Sequence, residues 1–591
     1  MTGGGPYGEE SDGLGEAGSL PRPQWVIAEQ PDAEIVRSLT EHLRLPESVC
    51  ELLAVRGINT PEKAKRFLRP DLSQLHDAAA LAGADIAVTR IVEAIHSHQT
   101  ILVHGDYDVD GISAAALMTR WLTSLGGQVI PFVPNRMRDG YDFGDAGLRE
   151  GLDVGAELIV TVDCGTAAFR TVEEAQASGI DVIITDHHSV SESLPKAIAV
   201  VNPSRSDCMY PNKGLCGTGV AYKLCQLVSG AMGMGSTNGV TDYLDLVALA
   251  TVADMVPLLG ENRALVRYGL HCLSRTKVLG IRALLDITGI SSREVTARDI
   301  GFVLAPRLNS AGRIGETKDA LQLLLTEDPS EALSLARKLD KTNQKRRKED
   351  QQAFDEALEI VKCDYDLNHE RGIVLAREGW HPGVIGIVAS KLVEKIQRPV
   401  LVIALDGERG RGSGRSIPGF NLFEVLKECS KHLIRFGGHE QAAGMDVART
   451  AIPDLRKAFN IAASHRFSAD ELRSQLSVDL ELSLTSIDLQ LVHWFKYLGP
   501  HGVGNPCPVF MIRKAGFEQV KIVGTNHIKG TLIGNGGTIE AIGFGLAEIY
   551  PPDKLYCGLY DVAFELERNE FRGSVNLQAR LLALREHRIE V

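Results

Sequence analysis

Residues 84 to about 205 alternate amphipathic helical stretches with short β-rich runs, and this alternation constrains the fold more than any other feature of the sequence. The β-rich runs are "TILVHG", "QVIPFV", "ELIVTVDCG", "DVIITDHH" and "AIAVVNP". Strands that alternate with helices typically form a parallel sheet covered by those helices. The sequence therefore predicts an α/β domain built on a parallel sheet.

The rest of the chain divides by the same kind of pattern. The apolar spacing from 217 to 345 is mostly helical, a second alternating region begins near Arg371, and the short strands after 475, punctuated by Gly and Asn, indicate a small β-barrel or sandwich. We predict the following partition: a disordered tail over 1–20, a catalytic domain with an N-terminal extension over 21–330, a connecting helix over 331–365, a second α/β domain over 366–470 and a barrel domain over 471–591.

Composition narrows the class of protein. The first twenty residues hold seven glycines and almost no large apolar groups, which is why we expect them to be disordered. The longest apolar candidate for a membrane span is interrupted by Asp245 and Asp254, and we expect neither a membrane segment nor a targeting leader. The ten cysteines are scattered without a C-x-x-C pair, which fits a reducing compartment, so we predict a cytoplasmic protein.

Acidic and imidazole side chains follow three of the predicted strands. His104, Asp106, Asp108 and Asp110 follow the first, Asp163 closes the second, and Asp186, His187 and His188 close the third. An aspartate at one strand end is more often a helix cap or turn residue, and a single histidine is as often a core residue as a ligand. Ligands bind beyond the carboxyl ends of strands, however, so the three ends together predict one cation site.

A fourth acid supports this site, and the ligand chemistry indicates the ion. Asp254 interrupts the apolar run "LVALATVADMVPL", where an unpaired carboxylate is costly to bury. Carboxylate and imidazole ligands without thiolate suit Mn²⁺, Mg²⁺ or Fe²⁺ better than structural zinc. Six or more candidate ligands favour two ions that share a carboxylate, an arrangement that hydrolyses phosphoesters.

The ordered motifs resemble those of a known family. "HGDYDVDG", "VDCG", "TDHH" and "VADMVPL" are similar to the successive motifs of the DHH phosphoesterase superfamily, and the first resembles its RecJ branch of single-strand exonucleases. "APRLNSAGRIG" resembles a later RecJ motif, "GGHEQAAGM" the signature of the DHH-associated domain, and "LGPHGVGNPCPVF" the start of the RecJ OB-fold domain. The resemblance covers residues 75 to 591 approximately.

The resemblance implies a role for each site residue. One metal would be held by His104, Asp108 and Asp163, and the other by Asp110, Asp163, His187 and Asp254, with Asp163 as the bridge. His188 corresponds to a residue that contacts the scissile phosphate. Asp106 is expected to orient a histidine as a second catalytic residue. The implied cofactors are two Mn²⁺ or Mg²⁺ ions.

The second alternating region supplies basic groups that the acidic cluster lacks. In "GERGRGSGRS" glycines accompany arginines, so backbone N–H groups and guanidinium forks are available to a phosphate, although such a loop is solvated about as often. The resemblance makes Ser413 and Arg415 candidates for the 5′-terminal phosphate. The other expected substrate-binding residues are Arg136, Asn309, Arg313 and His439.

The net charge of −13 argues against a polyanionic partner unless basic groups are concentrated locally. The stretch "RKLDKTNQKRRK" at 337–348 has seven basic residues against one acid. A basic helix of this kind is as often a solvated face as a DNA contact. We expect the β-rich C-terminal domain to bind single strands through a basic groove and stacking aromatics.

These features predict a metal-dependent 5′-to-3′ exonuclease of single-stranded DNA that releases mononucleotides and acts in DNA repair and recombination. The alternative is a phosphodiesterase of short oligonucleotides or cyclic dinucleotides, against which the additional C-terminal domain argues. A catalytically inactive scaffold is a third hypothesis, against which the intact set of ligands argues. The expected protein partners are a single-strand-binding protein or a helicase.

Overall fold

The structure is a computed structural model that describes residues 23–235, 239–467, 474–571 and 574–587. The chain folds into two compact units. The first unit contains Gln30–Lys348 together with Leu489–Cys507. The second unit contains the described parts of Met1–Glu29, Glu349–Asp488 and Pro508–Val591. The tail predicted over residues 1–20 lies outside the described residues.

Short helices precede the first sheet. After strand β1 (Gln24–Ile27) they are α1 (Ala33–Leu43), α2 (Glu47–Val55), α3 (Pro61–Leu68) and α4 (Ala84–His96). The sequence explains the start of α3, since the Thr60 hydroxyl accepts a hydrogen bond from the backbone N–H of Lys63 at 3.3 Å. Pro61 then occupies the first helical turn, where its missing N–H costs nothing.

The first unit contains the parallel sheet that the alternation predicts. Its strands are β2 (Thr100–Gly105), β3 (Gln128–Phe132), β4 (Leu158–Val162), β5 (Asp181–Thr185) and β6 (Ala199–Val201). They are all parallel and lie in the order β3-β2-β4-β5-β6. The connecting helices are α5 (Val109–Ser124), α6 (Asp145–Asp153) and α7 (Phe169–Ala177). Every residue of the central strand β4 is buried, as expected for a sheet with both faces covered.

The helical region after the sheet completes the core of this unit. Its helices are α8 (Gly217–Ala231), α9 (Leu244–Ala253), α10 (Gly260–Leu273), α11 (Leu279–Ile287), α12 (Ala297–Asp299), α13 (Ala305–Ile314) and α14 (Thr317–Leu325). One continuous helix, α15 (Pro329–Asp364), then occupies nearly the whole of the stretch for which a connecting helix is predicted.

The second unit contains a mixed sheet. Its strands are β7 (Ile373–Glu378), β8 (Val400–Asp406), β9 (Arg409–Arg415), β10 (Arg435–Gly438) and β11 (Ala442–Ala448). They lie in the order β10-β11-β9-β8-β7, and only β7 and β8 are parallel. The helices are α16 (Ile385–Ile396), α17 (Leu422–Glu428) and α18 (Ile452–Ser464). One face of the sheet packs on α16 and the end of α15, and the other packs on α17 and α18.

A closed β-barrel forms the rest of the second unit. The strands after β12 (Gln475–Val478), which pairs with β1, are β13 (Leu480–Glu481), β14 (Phe510–Val523), β15 (His527–Gly534), β16 (Gly537–Gly543), β17 (Tyr560–Phe571) and β18 (Ser574–Glu586). The barrel closes because β14 pairs with both β15 and β17, and β18 joins β16 to β17. This confirms the predicted C-terminal barrel.

One segment beyond the predicted boundary at residue 471 groups with the first unit. It consists of residues 489–507, which contain helix α19 (Leu489–Lys496). In sequence, however, these residues lie between the barrel strands β13 and β14. The predicted boundary at residue 471 would assign this segment to the barrel domain. A last short helix, α20 (Pro552–Leu555), precedes β17. Over the described ranges, we find no helix with the length and apolarity that a membrane span requires.

Candidate metal centre

The first motif turns sharply between β2 and α5. Asp108 caps α5, because its Oδ1 accepts hydrogen bonds from the backbone N–H groups of Asp110 at 2.9 Å and Gly111 at 3.2 Å. A Cβ at Gly111 would collide with the backbone of Asp106, so the turn requires glycine. Asn309 fastens the same turn, since its Oδ1 accepts from the N–H of Val109 at 3.1 Å. The turn thereby holds three carboxylates at the end of β2.

Asp163 stands at the end of the neighbouring strand β4 in a left-handed backbone conformation, with φ of 64°. This conformation is uncommon outside glycine and is found at functional sites. The side chain is buried, and burial together with the surrounding carboxylates, first Asp110 and then Asp108, raises its pKa well above the usual range. A Cβ at Gly217 would lie 2.5 Å from Asp163 Oδ1, so glycine there permits the close approach of α8.

The third strand end holds two histidines through one carboxylate. Asp186 accepts from the backbone N–H of His187 at 2.7 Å, of His188 at 3.1 Å and of Thr166 at 3.0 Å, and its Oδ1 lies 2.8 Å from His188 Nδ1. Burial raises the pKa of Asp186, but the hydrogen bonds from His188 and Thr166 outweigh burial and hold it below the usual range. The hydrogen bond to Asp186 in turn raises the pKa of His188 to about 9, so that imidazole carries a positive charge at neutral pH.

The three strand ends and the end of α9 converge. His187 Nε2 lies 3.2 Å from Asp163 Oδ1, 3.7 Å from Asp254 Oδ2 and 3.8 Å from Asp110 Oδ2. Three sets of side chains bring one ligand atom each within 4.8 Å of the others: Asp163 with His187 and His188, Asp110 with His187 and Asp254, and Asp106 with Asp108 and Asp163. Asp163 occurs in two of these sets, so its carboxylate lies near candidate ligands from both of the other strand ends.

The electrostatics of the cluster fit divalent cations. Burial, followed by repulsion from Asp108, raises the pKa of Asp106 to about 8, and burial followed by Asp110 does the same for the pKa of Asp254. Buried Asp106 Oδ1, Asp163 Oδ1 and His187 Nε2 have no hydrogen-bond partner among the described residues. These carboxylate and imidazole atoms face one another, and they are the electron-pair donor atoms that Mn²⁺ and Mg²⁺ bind. The residues present therefore fit two such ions.

Asp110 is held by contacts that the sequence pattern did not reveal. The backbone N–H groups of Gly217 and Thr218, at the N-terminus of α8, donate to its two carboxylate oxygens at 2.6 and 2.7 Å. These two hydrogen bonds fix the orientation of the Asp110 carboxylate. The glycines of "GTGV" at 217–220 are the signal from which this cradle could have been found. Asp142 was also missed, and its Oδ1 accepts from the N–H of Gly165 at 2.7 Å, next to the end of β4.

His104 stands apart from the three sets of converging ligands. Its ring packs between Phe132 and Phe143 at centroid distances of 5.3 and 5.2 Å, and its Nδ1 lies 3.5 Å from Cys164 Sγ. A Cβ at Gly147 would lie 2.5 Å from its Nε2. Burial lowers the pKa of His104 to about 4, so the ring is neutral and able to bind a metal. Its role as a ligand stays a prediction.

Two of the expected substrate-binding arginines lie near the first motif. Arg136 stacks over the ring of Tyr107 at 5.0 Å, and Arg313 interacts electrostatically with the same tyrosine. Burial raises the pKa of Tyr107 to about 12. The sequence reasoning missed Tyr107, which lies between Asp106 and Asp108 in the chain and interacts with both arginines.

The remaining expected substrate-binding residues lie in the second unit. Arg415 donates to Ser413 Oγ at 3.0 Å, and a Cβ at Gly386, at the start of α16, would lie 3.1 Å from both side chains. Two neighbouring polar groups beside a helix N-terminus form a suitable anion site. His439 is exposed in the turn between β10 and β11, where its N–H donates to the carbonyl of Ala442 at 2.8 Å.

Comparison with known proteins decides the family. Family models match in three places: the DHH family N-terminal domain at residues 100–251, the DHHA1 domain at 369–464 and the RecJ OB domain at 478–583. The single-stranded-DNA-specific exonuclease RecJ of Dickeya dadantii is 35% identical over 92% of this chain and 98% of its own length. The chain belongs to the RecJ family.

Two further RecJ proteins define the extent of the similarity. RecJ of Bacillus subtilis is 39% identical over 89% of this chain, which spans 66% of that protein. A solved structure of RecJ from Thermus thermophilus in complex with Mn²⁺ superposes with a TM-score of 0.83 at 28% identity, covering 96% of this chain and 80% of that one. The same protein was also solved with Mg²⁺, with a TM-score of 0.76. The predicted family, fold class and metal type are confirmed.

Proposed function

We propose that this chain is a metal-dependent exonuclease that degrades single-stranded DNA from the 5′ end, releases mononucleotides and acts in DNA repair and recombination. The proposal is carried by one observation: His187 Nε2 lies 3.2 Å from Asp163 Oδ1, at a neighbouring strand end, and 3.7 Å from Asp254 Oδ2, at the end of α9. Membership of the RecJ family supports the choice of substrate, since its named members are exonucleases specific for single-stranded DNA. The match to the RecJ OB domain supports single-strand binding and disfavours a hydrolase of cyclic dinucleotides.

The acidic cluster explains how phosphodiester hydrolysis would occur. Two divalent cations, when bound, polarise the scissile phosphate and lower the pKa of the attacking water. The residues that would hold them are Asp106, Asp108, Asp110, Asp163, His187 and Asp254. His104 is proposed as a further ligand. Asp163 would serve as the ligand shared by the two ions, and the backbone N–H groups at the N-terminus of α8 hold the Asp110 carboxylate in place.

His188 is the group in this cluster suited to the phosphate itself. Its imidazole is half exposed, and Asp186 keeps it charged. A fixed cation at this point stabilises the charge that develops on a phosphate oxygen during displacement. Asp186 orients His188 in this way, and Asp106, for which the sequence also predicts an orienting role, has its carboxylate among the candidate metal ligands.

The basic residues are proposed to set the direction of degradation and to bind the DNA strand. Ser413 and Arg415 would bind the terminal 5′ phosphate, and the proposed contacts to the rest of the strand are Arg136, Asn309, Arg313 and His439. Asn309 also has a structural task, since it fastens the turn of the first motif. A single-strand-binding protein or helicase as partner, the cytoplasmic location and the domain boundaries are predictions from the sequence.

A direct assay tests the function. The purified chain would be incubated with a labelled single strand, its duplex and a dinucleotide, with and without Mn²⁺. We expect metal-dependent release of mononucleotides from the single strand, with the duplex resistant. Hydrolysis of the dinucleotide alone would contradict the proposal and favour the oligonucleotide phosphodiesterase.

A further inference from the structure

The loop that follows Asp254 is held by a segment from a distant part of the chain. Asp254 ends α9, and Met255 follows in a left-handed conformation with φ of 60°. The next backbone N–H groups are no longer inside a helix, so the loop needs other partners. The N–H of Leu258 donates to the carbonyl of Val503 at 2.8 Å. We call residues 498–506 the clasp segment.

The clasp segment is itself rigidly fixed within the first unit. The buried guanidinium of Arg263, in α10, donates to the carbonyls of Gly499 at 2.8 Å, Tyr497 at 3.0 Å and Pro500 at 3.4 Å. It also donates to the carbonyl of Phe67 at 2.8 Å and stacks on that ring at 3.9 Å. A buried guanidinium with so many acceptors locks the local backbone, because any rearrangement leaves donors unsatisfied.

Asn505 binds two carbonyl groups of the clasp segment and also connects the segment to Arg56, which follows α2. Its Nδ2 donates to the carbonyls of Leu498 and Pro500, both at 2.8 Å. Arg56 donates to Asn505 Oδ1 at 2.7 Å and to the carbonyl of Pro506 at 2.9 Å. The segment thus keeps a single shape against the loop that it covers.

The clasp segment lies in close contact with the loop after α9, and hydrogen bonds connect this loop to residues near the metal ligands. A Cβ at Gly502 would lie 2.7 Å from Leu258 Cδ1, so a side chain there would displace the Leu258 side chain, which belongs to the loop. Asn262 donates from Nδ2 to the carbonyls of Pro257 at 3.0 Å and Gly214 at 2.5 Å. Gly214 lies three residues before Gly217, whose N–H holds Asp110.

We propose that the clasp segment is a positioning element of the metal centre, which fixes the loop after α9 and so sets the place of Asp254 relative to Asp110 and His187. The proposal rests on the proposed function only in taking Asp254 as a metal ligand. Groups that orient metal ligands contribute roughly 10- to 100-fold to metal affinity. Because the clasp acts one step further out, we expect an effect of about three- to tenfold.

Two variants of the full-length chain test the proposal, one by adding a group at the contact with the loop and the other by removing hydrogen bonds from the clasp segment. Gly502→Ala inserts a methyl group against Leu258, and Arg56→Ala removes two hydrogen bonds that close the clasp. Arg56→Lys keeps a donor and should restore part of the effect. The matched control is Lys496→Ala, which removes the exposed ion pair with Glu294 from the same chain segment without touching the loop.

The measurements separate positioning from general stability. In metal-free protein, hydrogen exchange of the peptide spanning 254–260 should be faster in Gly502→Ala and Arg56→Ala than in the control. Calorimetric titration with Mn²⁺ should show affinity weakened about three- to tenfold. The Mn²⁺ concentration for half-maximal exonuclease activity should rise likewise, while kcat at saturating Mn²⁺ stays close to the wild-type value.

The outcomes are distinguishable. Wild-type protein that binds no Mn²⁺ would overturn the proposed function. Wild-type protein that binds Mn²⁺, together with a folded Gly502→Ala or Arg56→Ala variant of unchanged loop exchange and Mn²⁺ affinity, would overturn the positioning role alone. An equal loss of Mn²⁺ affinity in Lys496→Ala would also overturn it, because the effect would then not pass through the loop.

Discussion

The backbone N–H of Leu258 donates to the carbonyl of Val503 at 2.8 Å, although the two residues lie far apart in sequence. Leu258 follows the candidate metal ligand Asp254 by four residues, and Val503 precedes the first long strand of the barrel. The first unit, which holds the candidate metal centre, therefore includes a part of the chain that the sequence alone assigns to the C-terminal domain.

This relationship changes what a C-terminal truncation should do. From the sequence, a deletion from about residue 475 would be expected to spare bond cleavage and weaken only the grip on long strands. In the structure, such a deletion also removes residues 489–507 from the first unit, which holds the candidate metal centre. We expect a chain ending at 507 to need less Mn²⁺ for half-maximal cleavage of a short oligonucleotide than a chain ending at 474.

Both truncated chains should bind long single strands more weakly than the full chain, because each stacked base lost costs roughly 1 to 3 kcal/mol. Binding to a short and a long strand at two salt concentrations measures this loss. Equal Mn²⁺ requirement in the two truncations would count against a catalytic role of residues 489–507, whereas undiminished binding would show that the barrel does not hold DNA.

Replacing Asp163 by alanine should abolish hydrolysis, since this carboxylate belongs to two of the converging ligand sets. In metal-free buffer the variant should melt at the same temperature as the wild type or higher, because it no longer buries a carboxyl group whose ionisation the neighbouring carboxylates oppose. Asp153→Ala, at an exposed position in α6, serves as the control. Turnover close to wild type in Asp163→Ala would refute the two-ion site.

Replacing Arg415 by alanine should reduce the preference for 5′-phosphorylated ends. A hydrogen bond to a charged group is worth about 1.5 to 3 kcal/mol, so kcat/KM on such ends should fall roughly 10- to 100-fold while activity on 5′-hydroxyl ends changes little. Arg409→Ala, on the same face of β9, provides the comparison. Equal losses on both kinds of end would remove Arg415 from the terminal phosphate site.

The stability of the first unit should depend on pH through His501. Burial, and then the charges of Arg56 and Arg263, lower the pKa of this imidazole to about 4, whereas an unfolded histidine titrates near 6.5. The unfolded state therefore takes up a proton first as the pH falls. The stabilisation is complete above pH 6.5 and is lost as the pH falls toward 4, by about 2 kcal/mol at pH 5.

Denaturant unfolding at pH 7.5 and pH 5 measures this difference. It should be smaller by about 2 kcal/mol in His501→Gln, which cannot titrate, than in the wild type. His96→Gln, at an exposed position of α4, should keep the wild-type dependence. The same pH dependence in His501→Gln and in the wild type would show that this histidine is not the group responsible.

The sequence by itself determined the parallel sheet and the position of most candidate metal ligands at one edge of it. Asp108, Asp163 and His187 each follow a β-rich run, and parallel strands bring their carboxyl ends to one edge, so local periodicity was sufficient to bring them together. The barrel and the long helix α15 were predicted for the same reason, since the spacing of apolar residues is a local property of each element.

Only the tertiary structure decided the contacts between elements that are distant in sequence. The cradle of Asp110 at Gly217, the ring of His104 between two phenylalanines, and the docking of Val503 on Leu258 all depend on how finished elements pack. Periodicity shows which face of an element is buried, but not which partner covers it. The partner is selected by the hydrogen bonds and shape that become available once the core has formed, because buried polar groups must then be satisfied.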